Sequence, residues 1–133
     1  YLISNLRARG AADVHRYLRD LEAALIDAVV GLGVPGVRVA GRTGVFVKTT
    51  HGLPDRKLAS IGVGVRHWVS HHGFALNIEI DLREFEAIVP CGLHDVEMTS
   101  LAREGAGSEP GLSIRAREAI VKSFTARFGT LVP

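Results

Sequence analysis

Cysteine, methionine and tryptophan each occur once in the 133-residue chain, and aromatic residues make up only 6% of it. A single thiol, Cys91, excludes an internal disulfide and fits a reducing compartment such as the cytoplasm. The few aromatics do not combine with the basic groupings Arg7, Arg9, Arg16 and Arg19, or Arg56 and Lys57, into the stacking platform that a nucleic-acid binder needs. No apolar run approaches the roughly 18 residues of a membrane span, and the N-terminus lacks the basic, apolar and small-residue order of a signal peptide. No Gly-x-x-x-x-Gly-Lys-Ser/Thr occurs, so no P-loop cradles a nucleotide phosphate. We therefore expect neither nucleic acid nor membrane as a partner. The formal charge of +2 and the pI near 9.0 are compatible with an acidic protein partner without demanding one.

What is present suffices for one domain: 47% of the residues are hydrophobic, enough to supply a core at this length. From Asp13 the apolar positions Val14, Tyr17, Leu18, Leu21, Leu25, Ala28 and Val29 recur at three and four, which predicts an amphipathic helix capped by Asp13 and stopped at Gly31 or Gly33. Short β-branched runs then predict strands over 37–39, 45–47, 58–66 and 74–80, with Lys57 where the loop 49–56 enters the third. In the fourth, Leu76, Ile78 and Ile80 alternate with polar residues. Residues 82–88 suit a short helical turn, and 108–111 a linker. A closing helix capped by Ser113 would carry Ile114, Ala116, Ile120, Val121, Phe124 and Phe128 as its apolar stripe, ending at Gly129. Such an order of elements predicts an α+β sandwich, a mixed sheet packed with helices, because the alternation is too irregular for a doubly wound parallel sheet.

Gly31, Gly33 and Gly36 have the spacing of a dinucleotide-binding fingerprint, but a helix precedes them and a strand follows, the reverse of what that site requires. Cys91 with His94, and the group His67, His71 and His72, lack the paired spacings of a structural zinc site. In extended chain His71 and His72 would also point to opposite faces. We expect no metal and no other cofactor.

Cys91 stands in Pro90-Cys91-Gly92. By composition alone a free cysteine is more often a packed thiol than a nucleophile. A stiff proline before it and a glycine after it suit an exposed, held thiol better. A nucleophilic thiol must ionise, and a nearby cation favours that. Lys57, His71, His72 and His94 are candidates, and spacing does not choose among them.

The runs 55–63 (Asp-Arg-Lys-Leu-Ala-Ser-Ile-Gly-Val), 72–77 (His-Gly-Phe-Ala-Leu-Asn) and 88–92 (Ile-Val-Pro-Cys-Gly), followed by Thr99-Ser100-Leu101, resemble the lipoyl(octanoyl) transferase family in content, order and spacing. The resemblance implies the α+β catalytic fold shared by biotin and lipoate protein ligases. It further implies an acyltransferase in which Cys91 forms an acyl thioester and Lys57 lowers the thiol pKa. Ser60, Ile61, Gly62, Gly73, Phe74 and Ala75 match acyl-substrate contacts, and His72 is a possible further site residue. The implied donor is octanoyl-acyl carrier protein. The implied acceptors are the lipoyl domains of glycine cleavage H protein and of 2-oxoacid dehydrogenase acyltransferase subunits, octanoylated in the first step of endogenous protein lipoylation. The Arg-Gly-Gly and Tyr-His-Gly-Pro-Gly-Gln stretches that precede this segment in the family do not occur here, and the chain starts at Tyr1. The resemblance thus leads us to expect residues 1–133 as a single, N-terminally truncated catalytic domain. Two rival readings are a non-catalytic fragment that binds acyl groups or carrier proteins, and an ATP-dependent lipoate-protein ligase of the same fold. The thiol-centred motif argues against the ligase.

Overall fold

The computed structural model describes residues 1–8, 10, 12–50, 53–87, 96–107 and 110–129. Helix α1 (Val14–Gly31) begins as the sequence predicts, the Asp13 carboxylate accepting the Arg16 amide. At its other end Gly33 takes φ +86°, with Gly33 N–H donating to Val30 O and Val34 N–H to Val29 O, a Schellman stop. Gly31, Gly33 and Gly36 thus close a helix and open strand β1 (Gly36–Val37), the opposite order from a dinucleotide site. Strands β2 (Val45–Val47), β3 (Arg56–Arg66) and β4 (Val69–Leu76) follow antiparallel in the order β1-β2-β3-β4. A short 3-10 helix (Leu82–Ala87) comes next, then β5 (Glu97–Met98), parallel to the start of β3, and α2 (Leu112–Phe128). The result is a mixed sheet with both helices packed on one face.

The core lies between that face and the helices. Tyr17, Leu21, Leu25 and Val29 of α1 meet Val45, Val47 and Leu58 of the sheet and Ala116 and Phe124 of α2. The N-terminal segment runs beside β4: Leu2 N–H donates to His72 O, Ser70 N–H to Ser4 O and Leu6 N–H to Trp68 O. The β3–β4 hairpin turns on His67 and Trp68, with φ of +50° and +65°, the two-residue turn whose twist matches the strands.

Several elements differ from expectation. β3 starts at Arg56, so Lys57 lies inside the strand rather than at its mouth. The predicted fourth strand is displaced toward the N-terminus, ending at Leu76. The alternation of Leu76, Ile78 and Ile80 misleads because Asn77 is buried, its amide making the last bond to β3 at Leu58 O and its side chain donating to Thr99 O. Gly111, not Ser113, caps α2, and Ser113 lies within the helix. Of the predicted stripe Ile114 and Val121 face outward, 62% and 48% exposed, while Leu112 joins Ala116 and Phe124 inside. β5 has two residues, too few to leave a periodic signal.

Candidate functional site

The site grows from an irregularity in β3. Val45 pairs with Ala59, but the next residue of β2, Phe46, pairs with Lys57, so Leu58 is an extra residue on β3, a β-bulge. A bulge reverses the alternation of side chains. Ala59, Ile61, Val63 and Val65 pack toward the helices, as does Leu58. Regular alternation from Ala59 would send Lys57 into that same core. The bulge instead turns Lys57 to the face it shares with its partner Phe46, away from Val45 and Val47.

There Lys57 is 2% exposed, its Nζ 5.5 Å from the centroid of the Phe46 ring. On its other side it pairs with Met98 of β5, and its carbonyl accepts the Thr99 amide. Gly44, at φ +131°, lies against its stem: a Cβ there would stand 3.1 Å from Lys57 Cε and 2.5 Å from Ala59 O. Beside it the Arg56 guanidinium makes a two-pronged bond to Glu104, 2.6 and 2.7 Å, and Thr99 Oγ1 donates to the same carboxylate. Arg56 holds the Glu104 carboxyl below the usual carboxylate range, against the opposing effect of burial, with Thr99 adding to the depression. Glu104 in turn raises the guanidinium's affinity for its proton.

Beyond the bulge, β3 and β4 bring the two predicted substrate trios together: Ser60 pairs with Ala75, Ile61 with Phe74 and Gly62 with Gly73. Their faces divide. Ile61 and Phe74 pack against the core, with the Phe74 ring 5.1 Å from that of Phe124. Ser60, Gly62 and Ala75 alternate onto the opposite face, the one Lys57 shares, and a Cβ built on Gly62 would meet nothing within 4 Å. This is an open floor of small residues running from Lys57. Gly73 is buried, with the backbone of Tyr1 and Leu2 against it.

His72 is exposed at φ +67°, and its ring centroid lies 4.8 Å from that of His71 and 5.8 Å from that of Tyr1. The two histidine rings therefore stand together, because the positive φ breaks the alternation expected of extended chain. Cys91, the proposed nucleophile, lies outside the described residues, as do Pro90, Gly92 and His94. The described chain breaks off after Ala87 and resumes at Val96, one residue before β5 joins the start of β3 beside Lys57.

Two contributors were not anticipated. Asn77 braces the bulge by donating its backbone N–H to Leu58 O, and it anchors the segment after β5 through Thr99 O and the Leu101 amide. Gly44 leaves room for the Lys57 stem. Asn77 was visible within the run 72–77, but its alternation reads as surface. Nothing in the spacing of Gly44 marks it out.

The model of the lipoyl protein ligase A/B catalytic domain matches residues 1–125. The chain belongs to this family. Among similar lipoyl ligase A/B-family relatives, the octanoyltransferase of Geobacter sulfurreducens is 56% identical over 104 residues, covering 78% of this chain and 41% of the relative. That of Prochlorococcus marinus is 42% identical over 130 residues, 97% of this chain and 51% of the relative. That of Rhodospirillum rubrum is 41% identical over 129 residues, 97% of this chain and 57% of the relative. The chain spans about half the length of the relatives it matches. The α+β fold of the lipoyl ligase A/B catalytic domain is the one the sequence resemblance implied.

Proposed function

We propose that this chain carries the thiol-bearing part of an octanoyltransferase, which moves an octanoyl group from acyl carrier protein to a lysine of a lipoyl domain through a thioester on Cys91. The observation that carries the reading is the buried Lys57, turned by a β-bulge away from the helix core onto the face of an open, small-residue floor. A lysine is rarely buried without a task or a partner. The relatives named octanoyltransferase support the same reading.

In this mechanism the Lys57 ammonium favours the Cys91 thiolate, which attacks the carbonyl carbon of the octanoyl thioester. The carrier's sulfur leaves and takes a proton from Lys57. The octanoyl group is then bound to Cys91 Sγ, one thioester having been exchanged for another. The neutral amine of the acceptor lysine attacks that carbonyl, an amide forms, and Cys91 leaves as thiolate. Lys57, now neutral, accepts the proton that the amine loses, which restores the starting state. No ATP and no cofactor enter, and a thiol with this task fits the reducing cytoplasm. The floor at Ser60, Gly62 and Ala75 receives the acyl chain against backbone, and Ile61, Gly73 and Phe74 shape it from within the sheet. His72 stands at its margin with His71.

The test is transfer without ATP. The protein, octanoyl-acyl carrier protein and a lipoyl domain are mixed, and the acceptor lysine is followed by mass. Octanoylation that needs no ATP supports the reading. Labelling only from free octanoate with ATP replaces it with a ligase, and no labelling from either donor favours a non-catalytic acyl- or carrier-binding role.

A further inference from the structure

Glu22 and Lys57 are the two charged residues that are fully buried among the described residues, and the mechanism above uses only one of them. A buried carboxylate is costly unless its oxygens are satisfied. Those of Glu22 are: Oε2 accepts from Arg19 Nη1 at 2.5 Å and Arg38 Nε at 3.1 Å, and Oε1 accepts the backbone N–H of Gly44 at 3.1 Å. Arg38 Nη2 also donates to Arg19 O at 2.8 Å, which fixes the guanidinium against α1. Arg38 and Gly44 stand at the two ends of the connection between β1 and β2, so one carboxylate on α1 ties down both ends.

Gly44 is also the residue whose backbone lies on the Lys57 stem. A Cβ at Gly44 would be 3.1 Å from Lys57 Cε, with Ala59 O at 2.5 Å closing the other side. A shift of the Gly44 backbone therefore transmits directly to the last methylene before the ammonium. The charge of Glu22 is paired with those of Arg19 and Arg38. Among the described residues the charged groups beside this part of β3 include Arg56 and Glu104, bound to each other, and Glu97, which pairs with Arg56 across β5 and binds Arg103.

We infer that Glu22 is a positioning residue for Lys57: by clamping the Gly44 amide it holds the backbone that sets where the Lys57 ammonium stands. The inference rests on the proposed Cys91/Lys57 chemistry, and the experiment separates the two. The pH profile of Cys91 alkylation is measured in the whole chain, where this is the single cysteine. Folding is checked by thermal melting. Glu22→Asp keeps the charge and draws the acceptor back from Gly44, whereas Glu22→Gln keeps an acceptor at full length and loses the charge. Below the thiol pKa the rate follows the thiolate fraction, so displacement of the ammonium in Glu22→Asp slows alkylation near pH 7 by about tenfold for each unit by which the thiol pKa rises. Glu22→Gln is expected to slow it by clearly less. A wild-type profile in Glu22→Asp, or a Gln variant as slow as the Asp variant, overturns the inference. Lys57→Met is run alongside. If it slows alkylation and Glu22→Asp does not, the inference alone falls; if Lys57→Met leaves the rate unchanged, the dyad falls and the inference with it.

Discussion

Lys57 lies 2% exposed with the face of Phe46 beneath its ammonium, in surroundings that cannot be left to solvent. In the proposed mechanism a charge held there acts on the thiol with little screening by solvent. Removing it in Lys57→Met, which keeps the apolar stem, is expected to slow Cys91 alkylation near neutral pH by about tenfold, on the order of one unit of thiol pKa. A second prediction concerns Asn77, which joins three parts of the site through hydrogen bonds to Leu58, Thr99 and Leu101. Asn77→Ala leaves the Thr99 carbonyl without its side-chain donor and is expected to cost about 2 kcal/mol in a urea unfolding curve. Residue types alone left Cys91 with four candidate cations, and the resemblance selected Lys57. Burial adds a physical reason for that choice, one that a sequence cannot display, because a lysine at a strand start reads as a solvated side chain.

At the scale of elements the bulge at Leu58 matters most. One extra residue decides whether Lys57 points into the helix core or away from it, and period-two patterning contains no mark of it, since Leu58, Ala59 and Ile61 are all apolar. A β-branched run located β2 at 45–47, and recurrence at three and four with an Asp N-cap located α1 from its cap onward. Patterning failed at the end of β4, where Asn77 makes the last bond to β3 and is buried against Thr99, and at β5, which is held by position beside Lys57 rather than by its own pattern. Gly44 belongs to this scale because it lets β2 approach the bulge. Gly44→Ala puts a methyl against Ala59 O at a backbone angle that side chains avoid, and is expected to cost about 1–3 kcal/mol. A lowered melting temperature is the readout. The hairpin offers the reverse: His67, exposed at φ +50°, is better suited by asparagine, so His67→Asn is expected to stabilise by about 0.5 kcal/mol, raising the melting temperature by a few degrees.

For the whole molecule, the sheet presents one face to two helices, and the opposite face carries Lys57 and the floor of Ser60, Gly62 and Ala75. The join between β3 and the turn after β5 depends on a titrating pair. Arg56 holds the Glu104 carboxyl below its usual value in the folded protein, so the folded state favours the ionised form. The stability this contributes is complete above the unfolded carboxyl value, about 4.3, and is lost as pH falls through the lower folded value. Stability should therefore decline on acidification below about pH 4, and less steeply in Glu104→Gln, which lacks the titrating group. Denaturant midpoints across that range decide it.

Acceptance of the acyl group by Cys91 is read most directly by intact mass spectrometry. After brief incubation with octanoyl-acyl carrier protein and no acceptor, the protein is expected to gain the mass of one octanoyl group. Hydroxylamine should remove it, and Cys91→Ala should never acquire it. An octanoyl adduct that survives in Cys91→Ala, or transfer to a lipoyl domain at full rate by that variant, would rule out Cys91 as the acyl acceptor.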